Sequence, residues 1–86
     1  MNELENLRLK IDEIDESIIE LFSERFKVTQ KVAVVKKKHN LDAIDSSREA
    51  RQMEKIAKLS SKNKINTELM QKIFRLVIDD LSLIHI

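Results

Sequence analysis

Arg25 stands where a leucine would pack. It interrupts an apolar stripe of Leu4, Leu7, Ile11, Ile14, Ile18, Leu21, Val28, Val32 and Val35, whose steps alternate three and four as in a heptad repeat. An arginine on such a stripe can set register or oligomeric state at some cost in stability, or carry its charge to the edge of a bundle. It can also face an anion held inside the bundle, because its planar fork binds a carboxylate through two parallel hydrogen bonds and stays charged. Lys36 follows 11 residues later. At 100° per residue it falls about 20° from the same face and roughly 16 Å further along the helix. Two cations so placed can reach toward one small ligand from opposite ends. Lys36 also opens the run Lys36–Lys37–Lys38, which complements a helix C-terminus. Arg8 precedes Asp12 by one turn, so an ordinary surface ion pair competes with any binding role. Arg48 and Glu49 open a later helix. There Ser46 and Glu49 have the spacing of a capping box, and Asp45 is a turn or cap residue.

Composition narrows the chemistry. There is no Cys, which removes disulfides, thiolate nucleophiles and Cys-based zinc sites. The two His, His39 and His85, have no ligand spacing, so neither a metal nor a cofactor is expected. Gly is absent, and with it the glycine loops that cradle phosphates. Sixteen basic and 15 acidic residues are well mixed and leave a net charge of +1. That balance, with three Phe and no Trp or Tyr, argues against nucleic-acid binding. No run approaches 18 apolar residues and the N-terminus MNELENLRLK has no leader pattern, so a cytoplasmic protein without a membrane partner is expected.

The elements that must position these residues are helices. Absent Gly and Pro, with abundant Leu, Ile, Lys and Glu, the chain reads as all-α. The pattern predicts one domain over 1–86 with helices at about 2–39, 46–60 and 66–84. The break HNLDAIDSS carries turn formers, and SSKNKINTE ends in a cap at Asn66 or Thr67. The second helix offers Ala50, Met53, Ile56 and Ala57 as its apolar face. The third offers Leu69, Met70, Ile73, Phe74, Leu76, Val77, Ile78 and Leu81. A first helix of this length would span roughly 57 Å, against a radius of gyration near ~12 Å for a compact chain of this size. Two short helices cannot cover its whole stripe. The simple solution is a homodimer in which two long helices share one core.

The order of the charged residues carries a resemblance. L-R-x-x-I-D-x-I-D occurs as Leu7, Arg8, Ile11, Asp12, Ile14 and Asp15. Glu24–Arg25 and Lys36 follow, then D-x-x-R-E as Asp45, Arg48 and Glu49. This order resembles the all-helical (type II) class of chorismate mutases over residues 4 to about 80. The resemblance implies three helices per chain with the long first helices of two chains intertwined. It also implies conversion of chorismate to prephenate by an intramolecular Claisen rearrangement, a step of Phe and Tyr biosynthesis. Such a rearrangement needs no nucleophile, metal or general base. It needs the dicarboxylate held in its reactive shape, with donors where negative charge develops on the ether oxygen. By resemblance, Arg25 binds one substrate carboxylate and Arg8, supplied across the dimer interface, the other. Lys36 bridges a carboxylate and the ether oxygen. Glu49 accepts the ring hydroxyl with Asp45 nearby, and Arg48 lines and orients the pocket.

The last helix departs from the family pattern. A small polar residue and, four residues on, a Gln or Glu are usual there; this chain has Leu81 and His85, with Ser82 one position off. His85 can donate through a ring nitrogen and stands as a substrate-binding candidate. Members of the family often continue further. Two other readings fit part of the pattern. A lyase releasing pyruvate from isochorismate uses the same fold, and a non-catalytic helical dimerisation or regulatory module would explain the heptads while leaving Arg25 and Lys36 accidental.

Overall fold

The structure is a computed structural model that describes the backbone of residues 2–84 and the side chains of residues 2–80. Among the described residues it is all-α, with three helices in the order α1 (Asn2–Lys38), α2 (Ser46–Lys62) and α3 (Thr67–Ile84). The chain divides into two compact units, Met1–Val32 and Ala33–Ile86.

Charge and caps explain where each helix begins and ends. Glu3 and Glu5 stand in the first turn of α1 and Lys36, Lys37 and Lys38 in the last, each sign complementing the helix dipole. After Lys38 the chain closes a Schellman turn. Leu41 N–H donates to the Lys36 carbonyl at 2.8 Å and Asn40 N–H to the Lys37 carbonyl at 3.3 Å, with Asn40 left-handed at φ 55°. Asn is among the few non-glycine residues suited to that conformation. The α2 end repeats the device: Ile65 N–H donates to the Ser60 carbonyl at 3.0 Å and Lys64 N–H to the Ser61 carbonyl at 3.1 Å. Here a lysine, Lys64, takes φ 55°.

Two sequence expectations change. The second helix does not stop at 60 but runs to Lys62. Ser60 is buried, and its hydroxyl donates to the Ile56 carbonyl at 2.6 Å. The serine thus satisfies itself within the helix instead of breaking it. The capping box of Ser46 and Glu49 is replaced by a cap one residue earlier. Asp45 is the N-cap of α2, its Oδ1 accepting from Arg48 N–H at 3.0 Å. Asp is an equal or better cap than Ser, and choosing it frees the Glu49 side chain. At α3 the cap is Asn66, whose Oδ1 accepts from Leu69 N–H at 2.9 Å.

In the second unit, α2 packs on α3. Among the described residues Ile78 is the buried apolar residue, and Met53, Ile56, Ala57, Met70, Ile73, Phe74 and Val77 are half-buried. Ala50, Leu69 and Leu76, expected on the apolar faces, are exposed. The α1 stripe is also open. No residue of α1 is buried, and its stripe hydrophobics run from 41% exposed at Leu4 to 63% at Leu21.

Candidate active site

The first unit holds Arg8 and Arg25. Phe22, Arg25, Phe26 and Thr29 are the half-buried residues of the α1 segment that ends at Val32, and their spacing puts them on one helix face. The Phe22 and Phe26 rings stack with centroids 6.4 Å apart and planes at 21°. Arg25 shares their face, and its guanidinium Nη1 is buried. A guanidinium with one nitrogen out of water is suited to pairing with an anion. Arg8 is exposed. Among the described residues no ion pair joins it to Asp12, since the ion pairs found are those of Arg75.

The second unit holds Lys36, Asp45, Arg48 and Glu49. Lys36 is half-buried, and its Nζ donates to the Ala43 carbonyl at 3.0 Å. Its own carbonyl takes Leu41 N–H. Backbone and side chain of one lysine therefore both bind the connection that leads into α2. Asp45 closes that connection as the cap, and Arg48 N–H is its donor while the Arg48 side chain is exposed. Glu49 follows in the first turn of α2. Its Oε1 accepts from Arg75 Nη1 of α3 at 2.7 Å. The same nitrogen lies 3.7 Å from Asp79 Oδ1. These contacts raise the Arg75 guanidinium above its ordinary value: the Glu49 hydrogen bond acts most, desolvation opposes it, and the charges of Asp79 and Glu49 add smaller effects.

The structure thus ties Lys36 to the loop ahead of α2 and Glu49 to α3. Arg75 is a residue that the sequence reading passed over. The available signal was a cation inside the apolar run Ile73–Phe74–Arg75–Leu76–Val77–Ile78, the same kind of interruption that marks Arg25. The position expected for His85 lies outside the described residues, as does the Leu81 side chain. A shallow depression along α1, lined by Glu3, Asn6, Leu7, Leu9, Lys10 and Glu13, gathers none of the candidate residues. Among the described residues no helix is long and apolar enough to cross a membrane.

Comparison with known proteins follows the same span. The family described as chorismate mutase type II matches residues 7–84, a stretch that contains Arg8, Arg25, Lys36, Asp45, Arg48 and Glu49. The chain is 32% identical over 79 residues to the chorismate mutase of Methanocaldococcus jannaschii, covering 92% of this chain and 80% of that protein. It is 34% identical over 79 residues to the bifunctional chorismate mutase/prephenate dehydratase of Buchnera aphidicola, covering 92% of this chain. A bifunctional enzyme of the same description from Aquifex aeolicus is 42% identical over 60 residues, 70% of this chain. The chain spans 20% and 17% of the length of those two bifunctional relatives. On the match over 7–84 and the archaeal relative covered over most of its length, the chain belongs to the chorismate mutase type II family.

Proposed function

We propose that the chain is a chorismate mutase, an isomerase that converts chorismate to prephenate in the cytoplasm on the route to aromatic amino acids. The observation that carries this reading is the family match over residues 7–84, which takes in every cation that the sequence singles out. The reaction is an intramolecular rearrangement: one carbon–oxygen bond of the ether breaks as one carbon–carbon bond forms, and nothing is added or lost. Binding the folded-back dicarboxylate and stabilising the developing negative ether oxygen can supply the whole acceleration.

The roles are those that the family resemblance implies, and each suits the chemistry of its side chain. Arg25 clamps one carboxylate, its partly buried guanidinium strengthened by the low dielectric around it. Lys36 exchanges the Ala43 carbonyl for a second carboxylate oxygen and the ether oxygen. Glu49 accepts the ring hydroxyl. Asp45, by capping α2, sets where Glu49 and the exposed Arg48 stand, and Arg48 adds positive field at the pocket edge.

The working form is a homodimer of paired α1 helices, with the partner subunit's Arg8 completing each site. Support comes from the α1 stripe, exposed from Leu4 to Val35 in one chain. Covering a half-exposed Leu or Ile contributes on the order of 1 kcal/mol, and the stripe has nine apolar members. The test is Arg25→Leu. It is expected to keep or raise the stability of the fold by ~1 kcal/mol while turnover of chorismate drops by roughly 100-fold or more. Unchanged turnover in a folded Arg25→Leu protein would refute the role of Arg25 and favour a non-catalytic helical module.

A further inference from the structure

We propose that Arg75 is a positioning residue for Glu49, holding one carboxylate oxygen so that the other is presented to the substrate hydroxyl. The inference rests on the mutase reading above and extends its machinery to α3. Arg75 Nη1 and Glu49 Oε1 are 2.7 Å apart, the length of a charge-assisted hydrogen bond.

The register of the helices fixes this contact. Gln71 Nε2 of α3 donates to the Met53 carbonyl of α2 at 3.5 Å. One turn further along α3 and one turn back along α2 come Arg75 and Glu49, as antiparallel helices require. Gln71, Phe74, Arg75 and Ile78 lie on one face of α3, and Ile78 of that face is buried. The stem of Arg75 is therefore anchored in the α2–α3 seam. Its guanidinium emerges beside the first turn of α2, where Glu49 stands.

Stability is a weak reason for such a pair. The two side chains are 42% and 22% exposed, and ion pairs open to water contribute little. Presentation is the stronger reason. A glutamate that must accept a hydroxyl has to stay ionised and in one rotamer, and it has four lone-pair sites of which Arg75 uses one. Asp79, one turn beyond Arg75 and 3.7 Å from the same nitrogen, adds a second negative charge beside the guanidinium. Arg75 is raised above its ordinary value, with the Glu49 hydrogen bond the largest cause, so the guanidinium stays charged.

The experiment is a double-mutant cycle on chorismate turnover, with melting curves followed by circular dichroism. Wild type, Arg75→Met, Glu49→Gln and the double variant are compared, with Arg75→Lys as the conservative replacement. Arg75→Met is expected to lower kcat roughly 10-fold through misplacement of Glu49, with the melting curve unchanged. Arg75→Lys recovers part of the loss. The double variant turns over no more slowly than Glu49→Gln alone, because Arg75 acts only through that carboxylate. If Arg75→Met does not fold, Arg75→Lys carries the same cycle. Wild-type kcat in Arg75→Met, or losses that multiply in the double variant, would overturn the proposal while leaving the mutase reading intact. A wild-type chain without turnover overturns the mutase reading, and this inference with it.

Discussion

Lys36 is the residue at which binding and folding roles separate most cleanly. Its Nζ holds the Ala43 carbonyl, an exposed bond to a neutral partner that contributes about 1 kcal/mol at most. Lys36→Met is therefore expected to shift the denaturation midpoint little and to lower kcat for chorismate by roughly 100-fold or more, as loss of a donor to a developing oxyanion does. Asp45 predicts the opposite balance. As the cap of α2 its replacement by Ala costs about 1 kcal/mol of stability, read by urea denaturation, with turnover changing only as α2 frays around Glu49. Arg25 stood out in the sequence because it breaks the apolar stripe, and Lys36 because it falls near the same helix face 11 residues on. The cap was only half legible: Asp45 and Ser46 are adjacent cap formers, and the sequence does not say which one the backbone enters through. Arg75 was not legible as a partner of Glu49, since the two are 26 residues apart and meet through the register of two helices.

At the scale of elements, the turns after α1 and α2 share one geometry with different residues. Asn40 and Lys64 both take φ 55°, but the left-handed region costs Lys more than Asn. Lys64→Gly is expected to raise stability by ~0.5–1 kcal/mol, visible as a higher melting temperature. Asn40→Gly is expected to give a smaller gain. The three helices themselves were readable from the lack of Gly and Pro and from the heptad spacing. The end of α2 was not, because Ser60 and Ser61 look like turn residues in sequence. Burial of Ser60 and its bond to the Ile56 carbonyl keep them helical. The outward faces of Ala50, Leu69 and Leu76 were missed for a similar reason. An apolar residue on α2 or α3 looks the same in sequence whether it meets the other helix or faces away from it.

For the whole molecule, the long open stripe of α1 is the dominant fact. Nine apolar side chains from Leu4 to Val35 are more than two-fifths exposed in one chain. A dimer is expected by sedimentation at micromolar concentration. Ile14→Glu, a charge placed mid-stripe, is expected to lower dimer affinity by several kcal/mol. Its helical signal should then depend on protein concentration. A wild-type chain that sediments as a folded monomer contradicts this, and contradicts the sharing of Arg8 between subunits. Turnover of chorismate decides whether the chain is a mutase. Purified protein is mixed with chorismate, the loss of substrate absorbance is followed, and the product is identified by NMR. Prephenate is expected, formed without added metal or cofactor. A folded protein that leaves chorismate unchanged and binds no analogue of its rearrangement transition state would contradict it.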